Sequence, residues 1–325
     1  MIKRRKIRMS STQIILLSFL IVILVGSILL SLPISAKNGK VSYIDALFTA
    51  TTATCVTGLV TVSTASSWSV FGQVIILILI QIGGLGVITI LTAFMLMINK
   101  KIGISDRLLI QDAFNLNTLS GLVVFVKKVL LGTLIIEFIG ALFYMIVFIP
   151  EFGARGIWIS IFNSISAFCN AGMDIIGENS LCNYATNPII NITTSILIIL
   201  GGLGYIVWWD IIRVIKLKKN GKYKFFKHLT LHSKIALCST MILIVFGAVA
   251  TLVFEYNNDL TIHNMSFFDT IKVSFFQSIT TRTAGFATIP QENLTNATAI
   301  SSMILMFIGG SPVGTAGGVK TVTIA

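Results

Sequence analysis

The chain has 325 residues, 55% of them hydrophobic and 11% charged. A soluble domain carries about 25% charged residues, so soluble globular and disordered classes are excluded. The formal charge is +12, but eighteen of the 24 Lys and Arg residues cluster at the ends of long apolar runs, which points to a membrane surface rather than to nucleic acid.

Residues 1–11 are predicted as a cytoplasmic N-terminus carrying Lys3, Arg4, Arg5, Lys6 and Arg8. A first repeat, 12–100, opens with the apolar run Ile14–Leu32, stopped by Pro33. The run is too long for a signal peptide and no A-x-A-type site follows, so a retained span is expected. Asp45 then opens a short helix, Ala46–Thr54, too polar and too short to span. The stretch Cys55-Val56-Thr57-Gly58-Leu59 follows. A second span, about Phe71–Ile98, carries Gly83-Gly84-Leu85-Gly86 in its middle and closes at Lys100-Lys101.

The connection 101–122 is predicted at the cytoplasmic surface; Arg107, Lys127 and Lys128 add to the basic cluster there. In the second repeat, 123–217, the span Val129–Ile149 contains Glu137 and is expected to end at Pro150. The segment Trp158–Phe168 is its short helix, and Cys169-Asn170-Ala171-Gly172-Met173 follows, with Asp174 next. The span Ile189–Ile215 carries Gly201-Gly202-Leu203-Gly204. Residues 218–231 form a second cytoplasmic connection, whose flanks hold Arg213, Lys216, Lys218, Lys219, Lys222, Lys224, Lys227 and Lys234. The third repeat, 232–325, has a span Ser233–Phe254, a short helix Phe267–Thr280, the stretch Arg282–Phe286 and a last span from Thr298 into Gly309-Gly310. By the positive-inside rule the basic connections lie inside. The acids Asp45, Glu151, Asp174, Glu178, Glu255, Asp259, Asp269 and Glu292 fall in the alternate loops, outside, where they would concentrate cations.

The repeat has a regular spacing. From loop glycine to Gly-Gly pair is 25 residues (Gly58 to Gly83), 29 (Gly172 to Gly201) and 24 (Gly285 to Gly309). Repeats in a membrane protein build a site on their shared axis. A dehydrated cation needs oxygen ligands in place of its water, and rings of backbone carbonyls supply them. The ion filter is therefore predicted at Cys55, Val56, Thr57 and Gly58, at Cys169, Asn170, Ala171 and Gly172, and at Arg282, Thr283, Ala284 and Gly285. The competing account is glycines that only let helices pack.

Each short helix would aim its negative end at this centre. Asp45 and Asp269 are either plain N-terminal caps or part of that field. For the Gly-Gly-Leu-Gly motifs, close packing and a hinge or cavity role remain equal alternatives. A cation lining a cation filter would defeat it, so the Arg282 side chain is expected to point away, toward an acid behind the loop. Glu137 is either functional or the fixed partner of a donor.

The stretch Gly309, Gly310, Ser311, Pro312, Val313, Gly314, Thr315, Ala316, Gly317 and Gly318 cannot be continuous helix. Its lysine follows Val319 rather than a glycine, so it is not a phosphate-binding loop. A non-helical gate under the filter is predicted over 309–318, with Lys320 capping its lower end. The four cysteines have no metal or disulfide spacing, and His228, His232 and His263 form no ligand cluster. No enzyme signature is present.

The stretches T-A-T-C-V-T-G-L at 52–59, F-C-N-A-G-M-D at 168–174, T-R-T-A-G-F at 281–286 and G-G-S-P-V-G-T-A-G-G-V-K at 309–320 resemble the Trk/Ktr/HKT superfamily of potassium transporters. Within it the chain is most similar to the bacterial Ktr membrane subunit (KtrB-like), because the first repeat starts without an extra N-terminal helix pair. The resemblance implies four membrane–pore–membrane units around a pseudo-fourfold pore, of which three are present here. It implies potassium held by the backbone at Gly58, Gly172 and Gly285, gating by 309–318, and a multi-pass position in the cell membrane. It further implies a homodimer on a cytoplasmic nucleotide-binding regulatory ring (KtrA/TrkA-like). No cofactor is expected on this chain; K+ is the transported ion, with Na+ coupling left open. Because the chain stops after the gating loop, the expectation is a protein truncated before a fourth repeat. The alternatives are a sodium-coupled or ammonium carrier, or a non-conducting truncated fragment.

Overall fold

The computed structural model describes residues 10–98, 103–113, 121–217 and 225–324. Of the basic residues singled out above, Lys3, Arg4, Arg5, Lys6, Arg8, Lys100, Lys101, Lys218, Lys219, Lys222 and Lys224 lie outside the described residues. Among those described there are helices and loops and no strand beyond isolated bridges.

Helix α1 (Ser11–Leu30) starts on a capping box, with Ser10 and Gln13 bonded in both directions. It ends before Leu32, which takes the extended conformation that a following proline imposes. Helix α2 (Tyr43–Cys55) is capped by Ser42. A single turn, α3 (Thr64–Ser67), leads to α4 (Val70–Leu85) and α5 (Val87–Met97). Helix α6 (Ile104–Ala113) packs against α1, α5 and α7 (Leu122–Phe152). Then come α8 (Arg155–Phe168), α9 (Pro188–Leu203), α10 (Tyr205–Leu217) and the turn α11 (Phe225–His228). The chain continues through α12 (Leu231–Glu255), α13 (Phe267–Thr280), α14 (Asn296–Phe307) and α15 (Thr321–Ile324).

The order long helix, short helix, loop, second helix thus occurs three times, and one packing device recurs with it. A Cβ on Gly26 would lie 2.8 Å from Leu79, one on Gly140 2.8 Å from Leu197, and one on Gly247 2.5 Å from Leu305. Each leucine stands four residues before its Gly-Gly pair. Lipid is as apolar as leucine, so helix association here rests on this kind of close fit.

Among the described residues three helices are long and apolar enough to cross a membrane: α1, α7 and α12. Their outward residues are apolar and exposed, among them Leu16, Phe138 and Ile242 at 64–67%, a surface that suits hydrocarbon and not water.

Two expected spans are not single helices. The chain bends by 102° between α4 and α5 and by 97° between α9 and α10. Gly86 (φ 83°) and Gly204 (φ 85°) stand at the breaks, in a backbone region closed to other L-residues. Helix α7 also starts seven residues before Val129, because Leu122 and Val126 already face the core. Pro150 does not end it. In the last turn its missing N–H frees only one carbonyl, and the helix runs on to a Gly153 stop. Finally, α14 is only 12 residues long.

Helix α12 is tied at both ends by buried acids. Asp210 of α10 accepts from the Thr230 amide (2.8 Å) and hydroxyl (2.9 Å) at its start. Glu255, at its end, accepts from the Thr295 amide (2.9 Å) and hydroxyl (2.8 Å), the cap of α14.

Candidate functional site

The three short helices α2, α8 and α13 end at the three glycine loops, and these loops meet. A Cβ on Gly58 would stand 3.0 Å from the Ala171 oxygen and 3.6 Å from the Gly172 Cα. One on Gly172 would be 2.7 Å from the Gly285 Cα. All three glycines have positive φ, at 80°, 63° and 85°. Two residues before each, Val56 (54°), Asn170 (57°) and Thr283 (68°) are also left-handed. For β-branched valine and threonine this is a true outlier, of the kind retained where surrounding structure enforces it. The loops are held by long turns: the Thr57 amide donates to Thr52 O (2.9 Å), Ala171 to Ser166 O (2.8 Å) and Gly285 to Thr280 O (3.3 Å). Sequence reading located the glycines but missed the left-handed residues before them; valine and threonine carry no signal for that conformation.

Above the glycines lies a cavity of about 340 Å³, lined by Gly58, Gly172 and Gly285 together with Thr61, Asp174 and Glu178. Burial pushes the Asp174 carboxyl above the usual range, partly opposed by the Ser180 hydroxyl and the amides of Ile176 and Gly177. Asp45 and Asp269 are not in this cavity. Each sits in the first turn of its helix and accepts from the capping serine, Ser42 or Ser266, at 2.7 Å. Both serve the N-terminal capping of their helices; Asp269 also pairs with Lys272 at 2.7 Å.

Of the residues three before each glycine, those of the second and third repeats are buried behind the loops. Cys169 is buried against Gly84, with its thiol 3.6 Å from the Gln81 oxygen. Arg282 is 7% exposed, and its partner is not an acid: Nη2 donates to the Gly309 carbonyl at 3.0 Å. The C-terminal end of α13 already lends negative character there, and a carbonyl completes it. Cys55, at the same place in the first repeat, is exposed. Glu137 is buried and fixed as a partner, accepting from Gln81 Nε2 at 3.1 Å.

Residues 308–320 form a compact non-helical loop, closed by a bridge between Ile308 and Val319. It fills the break in the second repeat. The Ser311 amide donates to Gly202 O (2.8 Å) and the Thr315 amide to Gly201 O (3.0 Å), while Tyr205 donates to Val313 O (3.1 Å). The Thr315 hydroxyl reaches Phe168 O at 2.9 Å, the last residue of α8. Irregular backbone at membrane depth requires such satisfaction. On its other side the Gly317 amide donates to Thr283 Oγ1 at 2.9 Å. Lys320 Nζ donates back to Ala316 O at 2.6 Å, closing the lower end.

The two alternatives for Gly-Gly-Leu-Gly divide by position. The pair packs: a Cβ on Gly83 or Gly201 would fall on the Thr54 or Phe168 carbonyl oxygen at the end of the neighbouring short helix. The third glycine makes the bend. Among the described residues no group of His, Cys, Asp and Glu has the makings of a metal site.

Comparison with known proteins follows the same lines. A family model described as "TrkH: Cation transport protein" matches residues 3–325. The potassium/sodium uptake protein NtpJ of Enterococcus hirae is 44% identical over 324 residues, 99% of this chain and 69% of that protein. The Ktr system potassium uptake protein B of Bacillus subtilis is 38% identical over 98% of this chain and 69% of its own length. The solved potassium transporter TrkH of Vibrio parahaemolyticus shares the fold, with TM-score 0.69 and 17% identity, over 99% of this chain and 61% of that one.

Proposed function

The chain belongs to the TrkH family of cation transport proteins, an all-α multi-pass membrane family, and from that premise we propose that it takes up potassium as the ion-translocating subunit of a Trk/Ktr-type system. The observation that carries this is the meeting of Gly58, Gly172 and Gly285 at the ends of three short helices, beneath an acidic cavity. Cations gather at Asp174 and Glu178 and shed water at the loops. Backbone oxygens of Cys55–Gly58, Cys169–Gly172 and Arg282–Gly285 replace that water. Close approach explains why the position is glycine, since any side chain there would enter the neighbouring loop.

In this proposal residues 309–318 are the gate. The N-terminus and the basic connections 101–122 and 218–231 face the cytoplasm of a cell-membrane protein. The relatives named for Ktr systems support a separate partner, which we assign as a cytoplasmic nucleotide-binding ring beneath a homodimer. NtpJ, named for potassium and sodium, supports Na+ as a coupling ion.

Rubidium uptake into cells lacking their own potassium uptake systems tests the filter. Gly58→Ser, Gly172→Ser and Gly285→Ser are each expected to reduce selective uptake at least tenfold at equal membrane abundance. Growth at low potassium that survives all three would remove the filter from these loops.

A further inference from the structure

The filter and the gate loop of the third repeat are joined by two side chains. Arg282 and Thr283 are adjacent in the loop after α13, and they reach opposite strands of the gate's neck. Arg282 Nη2 donates to Gly309 O at 3.0 Å, and Thr283 Oγ1 accepts from the Gly317 amide at 2.9 Å. Gly309 and Gly317 stand side by side in that neck, where Gly310 donates to Gly317 O at 3.3 Å and Gly309 to Val319 O at 3.2 Å. The two contacts therefore grip the loop where its strands enter and leave.

The surroundings of Arg282 are unusual for a buried cation. Among the described residues no carboxylate lies within ion-pair distance of it. Among the described residues its Nε has no partner, nor has the side chain of Asn170, which is 1% exposed. Both line a cavity of about 10 Å³ with Gly202, Gly310 and Ala316, room for about one water. A buried charge without a counter-ion is retained where its geometry is used. Thr283 keeps a left-handed backbone (φ 68°) that threonine resists, and that conformation goes with its hydroxyl's bond to Gly317.

We propose that Arg282 and Thr283 are positioning residues that clamp the gate loop to the third filter corner and hold it closed. The proposal rests on the assignment of 309–318 as the gate. A change in the filter turn would then be felt at the neck, and movement of the loop would be felt at the filter.

The test is rubidium uptake by the full chain in cells lacking their own potassium uptake, at matched membrane abundance and without an activating partner. Arg282→Gln is expected to raise uptake on the order of tenfold, as loss of a charged hydrogen bond to the closed state implies. Thr283→Val is expected to raise it less. Arg282→Lys, which keeps one donor for Gly309, is expected to restore the restrained rate. In a chain lacking 311–318 the Arg282→Gln change is expected to add nothing. If the deletion itself leaves uptake unchanged, the gate assignment falls and the clamp with it. If the deletion raises uptake but Arg282→Gln and Thr283→Val do not, the clamp alone is overturned. Should Arg282→Gln fail to reach the membrane, Thr283→Val decides, and unchanged uptake overturns the proposal.

Discussion

The breaks at Gly86 and Gly204 share a motif and nearly share an angle, 102° against 97°, yet they differ in what fills them. At Gly204 the loop 308–320 occupies the bend, supplying acceptors and donors to Gly201, Gly202 and Tyr205. At Gly86, among the described residues, the nearest atom to a would-be Cβ is Thr89 Oγ1 at 3.8 Å. The motif therefore bends the helix by itself, through a backbone conformation open to glycine, and the plug is a separate element that uses one of two similar seats. Bending belongs to the repeat, and docking belongs to the third repeat's loop.

The largest expected effect separates the two seats directly. In Gly204→Ala a methyl would fall on the Pro312 carbonyl oxygen and also meet positive φ. A loss above about 3 kcal/mol is expected from the two together. Gly86→Ala meets only the positive φ, at about 1–3 kcal/mol. Melting in detergent reads both; equal losses would mean that the plug is not seated as described.

Next comes Thr315→Val, which strips the hydroxyl from Phe168 O and leaves a buried carbonyl short of a partner, for about 1–3 kcal/mol. Among the described residues the first break has no counterpart of this bond. A smaller test reverses the asymmetry. A Cβ on Gly84 would stand 2.6 Å from Cys169 Sγ, whereas on Gly202 the nearest atom is 3.5 Å away. Gly84→Ala is expected to cost about 1–3 kcal/mol by overpacking, and Gly202→Ala to melt within a degree or two of the parent.

The smallest effect is on pH. The Asp174 carboxyl has its pKa raised by burial, so it protonates at a higher external pH than an ordinary aspartate. Its charge is present above that raised pKa and lost as pH falls through it, while protonation favours the folded state. Uptake is expected to decline as external pH falls through that raised pKa, and Asp174→Asn to flatten the profile. An unchanged slope in Asp174→Asn would take Asp174 out of the cation path.

Much of this was legible in the sequence where a local signal existed. Phe267–Thr280 is a helix over the expected residues because Ser266 and Asp269 cap it. The glycine spacing located all three loops. The bends were harder. Gly83-Gly84 drew attention as a pair, but the pair packs and the isolated Gly86 turns the chain. Pro150 misled because a proline in a final turn removes little. The Arg282 partner was beyond reach, since a carbonyl 27 residues away becomes available only once the loop has folded. The second repeat's first span looked shorter than it is because Lys127 and Lys128 interrupt the apolar run. Lys128 instead lies over the Trp209 ring, 5.6 Å from its centre.

Helix α12 behaves as a tie rod. It has 25 residues, so it holds its two anchor points about 37 Å apart, and at each end a carboxylate grips the neighbouring element as a pin does. Asp210 joins it to α10 just beyond the bend, and Glu255 joins it to α14, whose far end becomes the neck of the loop 308–320. A load applied to α10 is thereby passed along α12 to α14, and it reaches the loop at the neck that Arg282 also holds.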